Sequence, residues 1–255
     1  MRCGVLLGVL TLLVSAAPAS AQTTGDSPFL TRFDFGVALE HLSHDDPRYV
    51  WDAKWVADVD LIDYGSGRLI FAAEYQTILG DQFRIFDPNQ GNYMLEGAAS
   101  LRRGSTEVAA VLHHVSRHLS DRPKRFPIDW NMIGGRVLTS LERGRTQLRT
   151  RTDVRTVIQH THVDYEWELD TESAARVRIR PRVAMVARGQ LRVFGVDGTL
   201  GRGTQYGARG EGGVRLDGPA AVLELFVAAE RRVDPYQLEF STTTWLSAGF
   251  RLTNR

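Results

Sequence analysis

A serine, a histidine and an asparagine within residues 108–139 have types and a spacing that could perform hydrolysis. The segment predicts two antiparallel strands joined by a charged loop. Because side chains alternate across a strand, His114 and Ser116 share one face of the first strand, and Asn131 lies on the corresponding face of the second. The rest of that face is apolar and includes Leu112 and Ile133. Three polar groups on an apolar face call for an explanation.

The chemistry that these three side chains offer is nucleophilic acyl transfer. Ser116 would attack an ester carbonyl, His114 would accept its proton, and Asn131 would hold the imidazole in the required tautomer. Residues two apart on one face of a strand lie about 7 Å apart at the backbone, which is within side-chain reach. The sequence shows no oxyanion hole. The alternative is that these polar groups simply lie at the level of lipid headgroups, where water reaches them.

Neighbouring histidines leave a metal site as a further alternative. His113 and His118 could join Asp121 in binding a metal ion, although such spacing is weakly specific. His160 and His162 lie in a short predicted loop and invite the same interpretation, but solvent exposure explains them as well. From the residues alone we therefore assign no metal and no cofactor.

The first residues predict a secretory signal peptide at 1–21. Arg2 precedes an apolar run over residues 5–14, and Ala19-Ser20-Ala21 supplies a cleavage site. We expect an N-terminal segment at 22–29 and a single domain at 30–255. Cys3 is the only cysteine, so the mature chain is expected to contain no disulfide.

Charge and hydropathy exclude two classes of protein. Lys and Arg total 31 and Asp and Glu total 30, which gives a net charge of +1, so nucleic-acid binding has no support. After the signal peptide, no apolar stretch is long enough for a membrane helix. A membrane protein with this sequence must therefore cross the bilayer with strands that close into a barrel.

Apolar and polar residues alternate along the whole mature chain. Short turns follow the even-numbered strands, mostly longer loops follow the odd-numbered ones, and both termini lie on the short-turn side. The eighth strand is expected over residues 163–169, and the ninth from Arg176, bent near Gly189, to Val196. The predicted fold class is all-β, a single antiparallel up-and-down transmembrane β-barrel of about twelve strands.

Alternation alone does not say which face points outward. The interior of such a barrel is too wide for the many alanines and glycines of the apolar face to fill, so we expect that face to contact lipid. The charged face would fill the lumen with ion pairs, because signs alternate from strand to strand. A soluble barrel with a solvated charged face is the alternative.

Two sets of residues follow from this orientation. Those assigned to the lumen network are Arg136, Arg149, Arg151, Asp164, Glu166, Glu168, the arginines of 176–182, Arg209, Glu211, Arg215, Glu224 and Glu230. Those assigned to aromatic girdles at the membrane interfaces are Trp51, Trp55, Tyr75, Tyr93, Tyr165 and Trp167.

With these features the chain resembles Gram-negative outer-membrane β-barrel proteins. The last strand, STTTWLSAGFRL, is similar to the terminal strand that the barrel-assembly machinery recognises, although Phe250 is followed by RLTNR instead of ending the chain. The resemblance implies location in the outer membrane, contact with its lipids and the assembly machinery as a partner. Architecture of this kind hosts many functions.

A local resemblance concerns the polar face of residues 108–139. His114-Val115-Ser116 and Trp130-Asn131 are similar to the H-x-S and W-N segments of outer-membrane phospholipase A, a twelve-stranded barrel. The similarity implies that Ser116, His114 and Asn131 form a hydrolase site on the outer wall, with calcium as its cofactor. Lipid A deacylases also carry H-x-S on a barrel wall. In the phospholipase family Asn-Gly follows the serine, whereas here Arg117-His118 does.

A second local resemblance brings no function with it. An uncharacterised group of barrel proteins has an H-x-S-x-H-L-x-D segment, which His114, Ser116, His118, Leu119 and Asp121 match. Three hypotheses follow for the chain as a whole. It is an integral outer-membrane barrel with a charge-filled lumen and an undetermined role, a hydrolase of outer-leaflet lipid acyl chains, or a narrow channel.

Overall fold

In a computed structural model, which describes residues 28–120, 126–236 and 238–254, twelve antiparallel strands close into one barrel. Each strand pairs with its neighbours in the sequence, and β1 pairs with β12 to complete the wall. The predicted twelve-stranded up-and-down barrel is confirmed. The strands are β1 (Phe29–Ser43), β2 (Trp51–Asp63), β3 (Arg68–Gly80), β4 (Asp87–Arg103), β5 (Thr106–Leu119), β6 (Ile128–Arg143), β7 (Thr146–Thr161), β8 (Tyr165–Arg180), β9 (Val183–Val196), β10 (Gln205–Asp217), β11 (Ala221–Val233) and β12 (Thr242–Asn254).

The signal peptide predicted at 1–21 lies outside the described residues, as does most of the 22–29 segment. The first strand begins at Phe29, next to the predicted start of the barrel domain. None of the described residues belongs to a helix that could span a membrane.

The two ends of the barrel differ in their connections. Short turns follow β2, β4, β6, β8 and β10, and mostly longer loops follow the odd-numbered strands. Gly104 and Gly144 have φ values of +60° and +61° in two of the turns, a left-handed conformation that glycine adopts without steric cost. β1 begins and β12 ends on the side of the short turns, which we call the turn end; the opposite side is the loop end. The predicted asymmetry is therefore present.

The orientation of the two faces is also as predicted. Trp55, Leu112 and Phe250 are 39, 59 and 38 % exposed on the outer wall, whereas Asp153 and Glu168 in the lumen are 0 and 1 % exposed. Large apolar side chains are exposed along the outer face of most strands. A continuous apolar surface of this kind is typical of a wall that faces lipid.

Ion pairs join strands across and around the lumen. Arg136 contacts Glu96 at 2.6 Å and Asp153 at 2.7 Å, and Arg209 contacts Glu40 and Glu230, each at 2.9 Å. Because a buried charge is tolerated only with a partner of opposite sign, such pairing allows the lumen to be filled with ionised groups. The other predicted members with ion pairs are Arg151, Asp164, Glu168, Arg176, Glu211, Arg215 and Glu224.

The boundary predicted between the eighth and ninth strands is wrong. One strand, β8, continues to Arg180, and the turn to β9 is formed by Pro181 and Arg182. Proline has no backbone N–H to donate to a ladder and therefore ends the pairing at that point. The strand number stays the same, but the arginines of 176–182 move to the turn end.

The charge network is consequently smaller than predicted. Arg149, Arg178, Arg180 and Arg182 are exposed at the turn end, and Glu166 is exposed beside a β-bulge in β8. None of these five side chains forms an ion pair with the residues that the structure describes. They do not belong to the buried network.

Aromatic and aliphatic side chains close the lumen at the loop end. Tyr165, predicted on the outer girdle, is 2 % exposed inside the barrel and packs against Trp130 and Phe194, with ring centroids 5.2 and 4.8 Å apart. The irregularity in pairing between Tyr165 and Trp167 accounts for the inward position, because one extra residue reverses the alternation. Trp167 remains exposed, as predicted. A second interior cluster contains Leu42, Tyr49, Ile78 and Trp245.

Candidate active site

His114 and Asn131 are brought together by the pairing of β5 and β6, in which they are directly opposite each other. His114 Nδ1 lies 2.7 Å from Asn131 Oδ1. An amide oxygen only accepts hydrogen bonds, so this contact places the proton on Nδ1 and leaves Nε2 as an acceptor. Asn131 Nδ2 donates in turn to Gln159 Oε1, which orients the amide. The predicted contact between the imidazole and the asparagine is therefore present.

Ser116 is bonded to a different histidine from the one that the sequence suggested. Its Oγ lies 3.0 Å from His118 Nε2, two residues further along the same face of β5. Among the described residues, no hydrogen bond joins Ser116 to His114. The structure thus places one imidazole on each side of the serine along the strand, His114 with its orienting amide and His118 with the serine contact.

An aromatic row leads along the wall to the serine. Trp55, Tyr75 and Tyr93 are cross-strand partners in succession, and Tyr93 is the partner of Ser116. The ring centroids of neighbours in this row are 5.6 and 4.7 Å apart, and the Tyr93 ring meets His118 edge-on at 5.2 Å. Aromatic side chains of this kind mark the level of the membrane interface in a barrel. Ser116 therefore lies level with this row, and the predicted position of these three rings on the outer wall is confirmed.

Asp129 is a neighbour that sequence analysis missed. It is the β6 partner of Ser116 and lies two residues before Asn131, on the same outer face. Its Oδ1 is buried and has no hydrogen-bond partner among the described residues. The D-W-N order of residues 129–131 was visible in the sequence, but only the strand register shows that the aspartate adjoins the serine.

Arg117, which follows the serine, points to the opposite side of the wall. Its Nη1 donates to the backbone oxygen of Asp234 at 2.9 Å, inside the loop end of the barrel. The departure from the phospholipase pattern at this position is therefore explained by a contact in the lumen, and Arg117 does not belong to the outer site.

The metal site suggested by His113 and His118 is wrong, because these side chains lie on opposite faces of β5. His113 Nδ1 faces the lumen and lies 3.0 Å from Glu96 Oε2. Asp121 lies outside the described residues. His162 packs its ring on Phe126, with centroids 4.1 Å apart. In the part of the chain that the structure describes, no three potential metal-binding side chains of His, Cys, Asp or Glu come together.

Comparison with known proteins gives matches of structure only. No protein-family model matches the chain. No curated protein matches it in sequence. Outer-membrane phospholipase A from Escherichia coli superimposes with a TM-score of 0.55 at 12 % identity, over 89 % of this chain and 98 % of that chain. The calcium-bound dimer of the Salmonella typhi outer membrane phospholipase gives a TM-score of 0.55 at 12 % identity, over 87 and 90 % of the two chains.

At this level of identity the similarity concerns the fold and does not extend to activity. The shared architecture agrees with what the strands themselves show, namely an apolar outer wall, an ion-paired lumen, short turns at one end and loops at the other. The chain is an integral β-barrel of the Gram-negative outer-membrane type.

Proposed function

We propose that this barrel is a serine hydrolase that cleaves acyl esters of outer-leaflet lipids, with Ser116 as the nucleophile. The observation that carries the proposal is the arrangement around Ser116 Oγ. This oxygen lies 3.0 Å from Nε2 of His118. His114 is two residues away on the same face, and Asn131 holds the proton of its imidazole on Nδ1. The face that carries these groups is the lipid-facing side of the wall. A serine hydroxyl beside an oriented imidazole is the minimal arrangement for nucleophilic acyl transfer.

The reaction divides into two steps. Ser116 Oγ bonds to the ester carbonyl carbon while its proton passes to Nε2 of an imidazole; the lysolipid alcohol then leaves with that proton, and the acyl group stays on the serine. In the second step the same nitrogen takes a proton from water, whose oxygen bonds to the acyl carbon. The bond between that carbon and Ser116 Oγ then breaks, the imidazole returns the proton to Oγ, and the fatty acid leaves.

We assign the base to His114 and not to His118. A histidine that accepts a proton on Nε2 needs a partner on Nδ1 that fixes its tautomer and orientation, and Asn131 supplies one at 2.7 Å. A change of the Ser116 χ1 angle between staggered positions moves Oγ along the strand. Catalytic hydrogen bonds are often long or absent before substrate binds. The Ser116–His118 bond is therefore the resting arrangement in this proposal.

The proposed substrate is a membrane lipid because of where the serine lies. Ser116 is level with the aromatic row of Trp55, Tyr75 and Tyr93, and such rings sit at the headgroup boundary. The acyl ester bonds of phospholipids lie directly beneath the headgroups. No pocket is required, since the bilayer itself brings the acyl chain to the wall.

Calcium occurs in the structural neighbour from Salmonella typhi, but the described residues around Ser116 do not fit a calcium site. Calcium takes six to eight oxygen ligands. The carboxylate next to the serine among the described residues is Asp129, whose buried Oδ1 has no hydrogen-bond partner there. We therefore propose no step that involves a metal ion.

The test is ester hydrolysis by the purified full-length barrel in mixed micelles of detergent and phospholipid, measured as fatty-acid release. Ser116→Ala should abolish release, and a fluorophosphonate probe should label the wild type at Ser116. Ser105→Ala, in an exposed turn at the other end of the barrel, is the matched control and should keep full activity. Equal rates for wild type and Ser116→Ala would overturn the proposal.

A channel is less well supported. The lumen contains a cavity of about 580 Å³ lined by both polar and apolar side chains. The loop end, however, is closed by the two apolar clusters and by residues 234–236, where Pro235 O accepts a hydrogen bond from Gln90 at 2.5 Å. We expect no single-channel conductance in planar bilayers, and steady ion currents would contradict a closed lumen.

A further inference from the structure

Six arginines at the turn end differ from the arginines of the lumen. Lumen arginines such as Arg136, Arg188 and Arg251 each contact two or more carboxylates. At the turn end of β6 to β9, six arginine side chains are exposed, and none has an ion pair or hydrogen bond to the residues that the structure describes. We call this set the arginine rim: Arg143, Arg145, Arg149, Arg178, Arg180 and Arg182.

The rim is one continuous surface on two adjacent hairpins. Arg143 and Arg145 belong to the β6–β7 hairpin, and Arg180 precedes the β8–β9 turn. The backbone N–H of Arg178 donates to Arg145 O at 2.9 Å, which joins the two hairpins at the rim itself. The neighbouring carboxylate, Glu142, accepts a hydrogen bond from Gln147 and keeps its negative charge. It offsets part of the charge of the six arginines, so the surface remains net positive.

The opposite side of the turn end is built differently. Arg68 contacts Asp60 at 2.9 Å and Glu107 at 2.8 Å, and Arg102 contacts Asp63 at 2.8 Å. Arg68 and Arg102 are thus neutralised by carboxylates of the same chain, whereas Arg103 on this side is exposed and has no ion pair with the described residues. Exposed arginines without such ion pairs are therefore concentrated, but not confined, at the turn end of β6 to β9.

The rim also borders the lipid-facing wall. Leu141, Val177 and Ile179 are 52, 39 and 51 % exposed on the outer face of the same strand ends. Arg178 and Arg180 alternate with Val177 and Ile179 along β8. At this depth the wall passes from acyl chains to headgroups. Arg143 has the same strand parity as Leu141 and lies on the lipid side, whereas Arg178 has the opposite parity and pairs with the buried Ala184.

We propose that the arginine rim binds the phosphate groups of anionic phospholipids in the leaflet at the turn end, which in outer-membrane barrels is the periplasmic leaflet. Guanidinium groups bind phosphate oxygens in a two-pronged geometry. Basic residues next to a bilayer attract anionic lipid by about fivefold for each charge that engages a headgroup. The site is independent of Ser116 and of any hydrolysis.

The experiment reconstitutes the full barrel in phosphatidylcholine vesicles and measures the association of spin-labelled phosphatidylglycerol relative to spin-labelled phosphatidylcholine. For the wild type we expect a preference for phosphatidylglycerol of at least about fivefold, reduced by 0.5 M salt because exposed charges are screened. The double variant Arg143→Gln/Arg145→Gln, which removes one charge on the outer face and one in the turn, should lower this preference.

Two further variants keep the test decisive. Arg84→Gln/Arg231→Gln removes the same charge at exposed positions of the loop end and should leave the preference unchanged. Arg143→Lys/Arg145→Lys keeps the charge and should keep most of the preference, even if the glutamine variant folds poorly. A wild type that does not distinguish the two lipids, or a control double variant that loses as much as the rim variant, would overturn the proposal.

Discussion

His113 and His114 are adjacent in the chain and belong to opposite sides of the barrel wall. His113 Nδ1 lies 3.0 Å from the buried Glu96 carboxylate, next to Arg136 in the lumen network. His114 Nδ1 lies 2.7 Å from the amide oxygen of Asn131 on the outer wall. A step of one residue therefore changes the partner from an enclosed charge to a neutral amide that faces lipid. The inner histidine forms a hydrogen bond with a buried carboxylate of the lumen, whereas the outer one keeps Nε2 directed away from its amide partner.

The strongest test of this difference replaces each histidine in turn. His114→Ala should lower kcat/KM for lipid ester hydrolysis by about 10²- to 10⁴-fold, the usual effect of losing a general base. His113→Ala should leave the activity per folded molecule unchanged, because its side chain does not reach the outer face. Fatty-acid release, normalised to the folded fraction, measures both. Equal losses in the two variants would show that the activity does not come from the outer wall.

Arg136→Ala tests the lumen side of the comparison. The guanidinium contacts Glu96 and Asp153, which are 9 and 0 % exposed, and its removal leaves buried carboxylates without their main partner. We expect a loss of about 3–5 kcal/mol in the free energy of unfolding, measured by urea titration in lipid vesicles. Arg103→Ala, at an exposed position, should change it by less than about 0.5 kcal/mol. If Arg136→Ala left the free energy of unfolding unchanged, water would have to solvate the carboxylates in this part of the lumen.

The alternation of residue types predicted both faces of the barrel, because successive side chains of a strand point to opposite sides of the wall. Trp55, Leu112 and Phe250 are outside, and Glu211 and Glu224 are inside, as the pattern required. Tyr165 was misplaced because a β-bulge reverses the alternation, and a bulge depends on how two neighbouring strands pair. The turn at Pro181, in contrast, could have been predicted, because proline ends strand pairing. The regular spacing of the arginines on both sides of it was instead interpreted as one continuous strand.

Only part of the candidate site could be predicted in the same way. His114 and Asn131 are paired as their strand positions suggested. The Ser116–His118 bond depends on side-chain rotation, which a sequence pattern does not determine. Asp129 is next to Ser116 because of the register between β5 and β6. A loop joins these two strands, and the sequence does not show where the strands end and the loop begins, so the register could not be predicted.

Asn131→Ala sharpens the role of the outer partner. Loss of the amide removes the hydrogen bond that holds His114 Nδ1, and a bond of this kind contributes roughly 1.4 kcal/mol or less. We expect kcat/KM to fall by about tenfold, with little change in unfolding free energy, since the residue is half-exposed. Gln159→Ala, which removes only the group that orients the amide, should have a smaller effect. If Gln159→Ala were the more damaging change, the amide would not be acting through His114.

His118→Ala gives the smallest expected effect and decides between the two imidazoles. If His114 is the base, the Ser116–His118 bond belongs to the resting state, and its loss leaves the hydroxyl free to turn toward His114. One hydrogen bond of net ~0.6 kcal/mol then corresponds to a change of about threefold in kcat/KM, in either direction. The comparison with His114→Ala is made under identical micelle conditions and across pH 5–9, because the variant that removes the base also removes the acidic limb of the profile. Loss of that limb in His118→Ala, with the limb retained in His114→Ala, would assign the base to His118 and reduce His114 and Asn131 to a structural pair on the wall.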